Sequence, residues 1–266
     1  MRRLIAIAAL LAAGIPGAAA RAQESGDLTT RWAWKVPAGD WFTLRSLNGR
    51  ITAHRAEGDS VVVTAVKHVR RGDPAYVRYD VQKYGDDQQN VLLCALWGTD
   101  ARCSPTSYDA NDDEGRGRRN QVAVEFDVAV PAGVKIAVHS VNSDVAIAGV
   151  TSEVHAGTVN GRVNVETDGG PVSANSVNGS VHASMLRYHP TQDMRFNTVN
   201  GSVVVELPND VDADVELSTV NGRFTTDFPV TLSGRIDPRH LRATLGKGGP
   251  RITMHTVNGN VELRKH

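Results

Sequence analysis

The chain has 266 residues, of which 41% are hydrophobic, and it carries 29 basic and 29 acidic side chains. This length suits one large domain, and the balanced charge provides no basic surface of the kind that nucleic acid requires.

The first 22 residues have the pattern of a secretory signal peptide. Arg2 and Arg3 form a basic start, residues 4–13 are apolar, and the small residues Ala20 and Ala22 stand at the cleavage positions, which makes Gln23 the expected mature N-terminus. The apolar run is too short to span a bilayer. We therefore expect a secreted or periplasmic protein without a membrane span or anchor. Removal of residues 1–22 leaves 26 basic and 29 acidic residues, a net charge near −3.

The region from about residue 23 to 120 is the less regular part of a single predicted domain, residues 23–266. Residues 39–69, which include "WFTLRSLNGRITAHR", predict one good coil and a further strand, and "YVRYDVQKYGDDQQNVLLCALW" predicts two strands joined at Gly85 and Asp86. No amphipathic helix of useful length follows the signal segment. The fold class we expect is therefore all-β.

Cys94 and Cys103 are the only two cysteines, and eight residues separate them. In an exported protein such a pair favours a local disulfide over a metal site. Two free buried thiols are the alternative.

Regular repeats begin near residue 121 and continue to 266. The repeated asparagine, usually in Val-Asn-Gly, aligns seven copies, at Asn48, Asn142, Asn160, Asn178, Asn200, Asn221 and Asn258. The last interval is about twice the others. We therefore expect a degenerate copy within "PVTLSGRIDPRHLRATLGKGG".

Each copy has the pattern of two short strands that meet at the asparagine. Apolar residues lie six and four positions before it and three after it, and a serine or threonine stands two before it in all seven copies. Glycine follows the asparagine in six copies, where it allows a positive φ; Ser143 replaces it once.

An antiparallel meander of Asn-Gly hairpins is one interpretation of this pattern. A β-solenoid with coils of about 18–22 residues is the other, and two observations favour it. A hairpin would place the aliphatic residue before each asparagine on the polar face, whereas a corner can turn both preceding residues inward. Isolated hairpins also accept aspartate or glycine, but every copy has asparagine, whose amides can bond in a ladder when coils stack about 4.8 Å apart.

Motifs for chemistry are weak. The carboxylates Asp109, Asp112, Asp113 and Glu114 do not have the spacing of an EF-hand loop. His139 and His255 share a column of the repeat but lie several coils apart, and His155 and His182 fall in different columns. No nucleophile elbow, phosphate loop or zinc motif is present. We predict no catalytic residue, no metal and no cofactor.

The coils "TVNGxVxV", the stretch "VPAGVKIAVHSVNS" and the closing "ITMHTVNGNVELRKH" resemble the bacterial putative-adhesin domain of unknown function, over residues 39–266. This resemblance implies a right-handed β-solenoid in an exported or envelope-associated protein. It implies no catalytic residues.

The sequence therefore predicts a non-catalytic binding or structural module of the bacterial cell envelope. Its partner would be an envelope or surface ligand, protein or polysaccharide, and Arg162 and Arg223 are the residues expected to face it. A polysaccharide lyase or hydrolase on a β-helix is the alternative, which a groove with clustered acidic and basic side chains would favour.

Overall fold

The computed structural model describes residues 23–24, 28–110, 120–188, 191–232 and 239–266. The expected signal peptide and the acidic residues 112–114 lie outside the described residues. Within the described ranges, no helix has the length and hydropathy that crossing a membrane requires.

Short strands make up most of the described chain, together with one 3₁₀ turn, Pro74–Tyr76. The strands are β1 (Gln23–Glu24), β2 (Thr29–Trp34), β3 (Trp41–Arg45), β4 (Ile51–Arg55), β5 (Val61–Arg71), β6 (Val77–Tyr84), β7 (Asn90–Trp97), β8 (Arg102–Cys103), β9 (Tyr108–Asp109), β10 (Gln121–Val130), β11 (Lys135–His139), β12 (Val145–Val150), β13 (Val154–Asn160), β14 (Val163–Thr167), β15 (Val172–Asn178), β16 (Val181–Met185), β17 (Met194–Asn200), β18 (Val203–Leu207), β19 (Ala213–Asn221), β20 (Phe224–Thr226), β21 (Thr231–Leu232), β22 (His240–Leu245), β23 (Arg251–Asn258) and β24 (Val261–Lys265).

Seven coils form the body of the molecule, and each has one strand in each of two facing sheets. The chain passes along a strand of sheet B, turns at the repeated asparagine and returns along a strand of sheet A. In sheet B the coil strands lie in the order β3-β11-β13-β15-β17-β23-β19, and in sheet A in the order β4-β12-β14-β16-β18-β24-β20. Neighbouring coil strands are parallel and in register, as in Val145 opposite Val163. The solenoid prediction is confirmed, because a meander would pair the strands antiparallel.

The core lies between the two sheets and is built from the columns predicted to be apolar. Phe42, Ile136, Phe196 and Ile252 are fully buried from sheet B, and Val163, Val181, Val203 and Val261 are fully buried from sheet A. Each coil alone exposes this face, so the coils stabilise each other by stacking.

The two ends of the stack are covered by antiparallel strands. At one end β10 pairs parallel with β4 and antiparallel with β5, while β6 and β7 form the predicted hairpin. At the other end β22 pairs antiparallel with β19 and β21. The prediction of a degenerate coil in this last segment is wrong: its described strands extend sheet B as antiparallel neighbours and build no further corner.

The coil order departs from the chain order at two places. The coil of β3 and β4 stacks on β11 and β12, although about 80 residues separate them in sequence, so one coil of the region we expected to be irregular belongs to the regular stack. The last coil, β23 and β24, lies between the coil of β17 and β18 and the coil of β19 and β20.

Candidate functional site

The seven asparagines form one continuous ladder at the corner between the sheets. The side-chain amide of Asn142 donates to Asn48 Oδ1 over 2.9 Å. The next four bonds run from Asn160, Asn178, Asn200 and Asn258, each to the asparagine of the coil before it, and the last from Asn221 to Asn258, all over 2.8 Å. Because aspartate has no amide donor, only asparagine or glutamine chemistry supports this arrangement.

A second ladder lies directly beneath the first. In five of the seven coils, the buried hydroxyl two positions before the asparagine donates to the backbone carbonyl of the residue after the asparagine in the preceding coil of the stack, as Ser176 does to Gly161 O over 2.9 Å and Thr198 to Gly179 O over 2.7 Å. At the end of the ladder, buried Ser46 Oγ has no hydrogen-bond partner among the described residues. Stacking thus accounts for the hydroxyl in these five coils.

The glycine after the asparagine is required by the approach of the next coil. A Cβ on Gly179 would overlap the carbonyl of Gly161, and one on Gly161 would overlap that of Ser143. Neither glycine has a positive φ, whereas Gly49 does, at 114°. The predicted reason for glycine, a positive φ, therefore holds for only part of the set, and space between coils accounts for the rest.

The aliphatic residue before the asparagine faces outward in four of the seven coils and is half-buried in the other three. Val159, Val177, Val199 and Val220 are 38–46% exposed. The expected corner with both preceding residues turned inward is wrong, since strand alternation continues up to the asparagine: the hydroxyl residue is inside and the valine outside. A solvent-accessible aliphatic row consequently runs beside the asparagine ladder.

The two arginines predicted to face a ligand lie in one row on the sheet A side of the corner. This row, two positions after each asparagine, reads Arg162, Ser180, Ser202, Asn260 and Arg223 in stack order. The guanidinium of Arg162 lies 2.9 Å from Asp144 Oδ2 and remains 75% exposed, and the donation of its backbone N–H holds the pKa of Asp144 below the usual range. With strands about 4.8 Å apart, four steps separate the arginines by roughly 19 Å.

A disulfide anchors a loop over sheet B. Cys94 in β7 and Cys103 in β8 are bonded, with their Cα atoms 6.4 Å apart. Tyr108 OH donates to Ala95 O over 2.7 Å, and Arg45 donates from Nε and Nη2 to Pro105 O over 3.2 and 2.6 Å. These contacts hold the loop of residues 104–108 beside the outer ends of β3 and β11.

A pocket of about 270 Å³ lies between this loop and the outer face of sheet B, and we call it the loop pocket. Arg45, His139 and Asn175 line it together with Ser107 and Tyr108. Burial lowers the pKa of Arg45. Burial, followed by the electrostatic influence of Arg45 and His155, lowers the pKa of His139 to about 4, so this imidazole is neutral at neutral pH.

Sequence reasoning did not find the loop pocket. Arg45, His139 and Asn175 belong to three coils, and only stacking brings them together. One signal was present: the column three positions before the asparagine holds glycine only once, at Gly157, between His139 and Asn175.

Charged side chains elsewhere pair across the open sheet faces. On sheet A, Arg264 contacts both Glu206 and Glu262, and His182 lies 3.3 Å from Glu206. Among the residues that the structure describes, no group of three or more His, Cys, Asp or Glu side chains could hold a metal ion.

The comparisons with known proteins concern the family and the fold. Residues 127–264 match the model of the family described as Toastrack DUF4097. No curated protein matches the chain. A putative cell adhesion protein from Clostridium sporogenes ATCC 15579 aligns over 90% of this chain and 100% of its own, with 8% identity and a TM-score of 0.47. A putative adhesin (BF0245) from Bacteroides fragilis NCTC 9343 aligns over 90% and 97%, with 10% identity and a TM-score of 0.26.

Proposed function

Because the chain belongs to the Toastrack DUF4097 family, a family of unknown function, we propose that it is an exported, non-catalytic, adhesin-like module that binds a protein or polysaccharide of the bacterial cell envelope. The signal-peptide pattern of residues 1–22 supports export. The disulfide between Cys94 and Cys103 supports an oxidising compartment, since such bonds are rare in the cytosol.

The observation that carries the proposal is the repetition of polar side chains along an open sheet face. The row from Arg162 to Arg223 presents two exposed guanidinium groups with hydroxyl and amide side chains between them, one residue for each coil. Each contact with a ligand would be weak, but several coils can engage an extended ligand together. A repetitive polymer or an extended protein surface suits this geometry.

The arrangement of carboxylates supports a polysaccharide-active enzyme less well than it supports a binding module. Glu206 and Glu262 share the guanidinium of Arg264 on an open sheet face. Glycoside hydrolysis needs one carboxyl group that burial keeps protonated beside a second that stays ionised.

Binding of the purified protein to whole cells and isolated envelopes tests the proposal. The double variant Arg162→Ala with Arg223→Ala should bind severalfold more weakly and remain folded, because the exposed pair of Arg162 with Asp144 contributes no more than about 1 kcal/mol. The matched control replaces the exposed Arg195 and Arg251 of sheet B, with the same loss of charge, and should bind normally. Equal binding by both double variants would contradict the role of this row. Release of reducing ends or unsaturated sugars from polysaccharides, abolished by one acidic substitution, would establish the enzyme instead.

A further inference from the structure

We propose that the loop pocket binds a carboxylate-bearing sugar, in size a single uronic acid residue. The pocket lies on sheet B, whereas the row from Arg162 to Arg223 lies beyond the corner on sheet A. The inference therefore does not depend on the function proposed above.

The guanidinium of Arg45 provides the first argument. It is half-buried, and its two hydrogen bonds from Nε and Nη2 go to the uncharged carbonyl of Pro105. No carboxylate of the described residues lies within ion-pair distance of it, and no aspartate or glutamate lines the pocket. A partly desolvated cation without an anion is costly, so a bound carboxylate would relieve this cost. Its hydrogen bonds to the described residues use Nε and Nη2, which leaves the donors of Nη1 and the second N–H of Nη2 for a bidentate carboxylate.

His139 and Asn175 provide the second argument. Both side chains lean over Gly157: a Cβ built there would lie 2.8 Å from His139 Nδ1 and 3.0 Å from Asn175 Oδ1. Among the described residues, neither side chain has a hydrogen-bond partner. A neutral imidazole and an amide each offer one or more donors together with an acceptor. Sugar hydroxyl groups, which donate and accept at once, match this pair.

The walls of the pocket limit its occupant. Val141, Val159 and Val177 line one side and can contact the C–H face of a sugar ring. Its volume of about 270 Å³ lies below the range of roughly 300–1,000 Å³ for drug-sized ligands, so it holds one ring and not a chain. Arg45 is the one lining residue with a full positive charge at neutral pH, which favours a monoanion over a doubly charged phosphate.

Calorimetric titration of the disulfide-bonded protein at neutral pH with D-glucuronate, D-glucose and sodium acetate tests the proposal. Glucuronate should bind saturably, and glucose and acetate should each bind at least about tenfold more weakly, since each lacks one of the two recognised parts. If acetate binds as tightly as glucuronate, the pocket recognises only the carboxylate. If glucose binds as tightly as glucuronate, Arg45 does not contribute to recognition. Either result, or no saturable binding of glucuronate, would overturn the proposal.

Two matched variants locate the site. Asn175→Ala should weaken glucuronate binding about fivefold, the loss expected for one hydrogen bond. Asn197→Ala removes the equivalent amide in the next coil, outside the pocket, and should leave binding unchanged. Arg45→Gln should abolish glucuronate binding. Because this substitution also removes contacts to Pro105, the comparison of Asn175→Ala with Asn197→Ala provides the test if the Arg45→Gln variant misfolds. Equal effects of the two asparagine variants would place binding elsewhere on the sheet and overturn the assignment.

Discussion

Ser143 occupies the one corner where the glycine of the repeat is absent, and its side chain takes over a bond of the hydroxyl ladder. Its Oγ lies 2.7 Å from Ser140 Oγ and donates to Gly49 O over 2.6 Å. In the five coils that follow in the stack, the residue equivalent to Ser140 bonds the preceding carbonyl directly. The residue type at this position of the solenoid thus depends on contacts with the neighbouring coil as much as on the backbone conformation of the residue itself.

The depressed pKa of His139 predicts a pH dependence of stability. Its pKa is about 4 in the folded chain against an ordinary value of 6.5. Between these values the unfolded chain binds a proton that the folded chain does not, so the free energy of unfolding falls as the pH falls through this window. At 1.36 kcal/mol per pKa unit, the loss at pH 4.5 is about 2 kcal/mol relative to neutral pH. Urea unfolding of wild type and His139→Gln at both pH values measures it, and identical pH dependence of the two proteins would contradict the assignment.

Individual strands and the corner were predictable from the sequence because each depends on local periodicity. Alternation identified the buried columns, and the choice of asparagine in every copy predicted stacked amides. We predicted wrongly that the valine before each asparagine faces the core. Whether it faces the core or the solvent depends on where the turn begins relative to the asparagine, and the repeat alone does not mark where the turn begins. The loop pocket was not predictable, since Arg45 and Asn175 are 130 residues apart and meet only through the coil order.

The ladder predicts unequal costs for two chemically identical substitutions. Asn178 takes part in two amide bonds and Asn48, at the end of the ladder, in one. Asn178→Ala should lower the free energy of unfolding by about 1–3 kcal/mol because it leaves two neighbouring amides without a partner, and Asn48→Ala should lower it less. Urea unfolding measures both. Small and equal effects would instead indicate corners that act independently.

Across the whole molecule, the final strands of the described chain are interior. β23 has β17 on one side and β19 on the other, and β24 lies between β18 and β20. Val261 and Leu263 are fully buried. The last coil therefore connects the earlier coils with the coil of β19 and β20, on which the antiparallel strand β22 pairs.

Hydrogen exchange should reveal this interior position. Amides of β23 and β24 are expected to exchange as slowly as those of β17, and more slowly than those of the edge strand β20, although strands near a chain end usually fray. Mass spectrometry of peptides that cover residues 194–207, 224–226 and 251–265 makes the comparison. Exchange of the last coil as fast as that of β20 would contradict the observed coil order.

The position of the last coil, β23 and β24, also means that two coils can compete for the same strand edge during folding. The coil of Asn221 leaves the ribosome before the coil of Asn258, and both have the Thr-Val-Asn-Gly corner that fits the open edge of β17 and β18. Closing the 21 residues from Asn200 to Asn221 costs roughly 1 kcal/mol less entropy than closing the 58 residues from Asn200 to Asn258. We therefore expect the earlier coil to reach that edge first, in which case it has to withdraw before the final residues can enter. We expect release of this misplaced coil, and not successive addition of coils, to limit the rate at which the stack is completed.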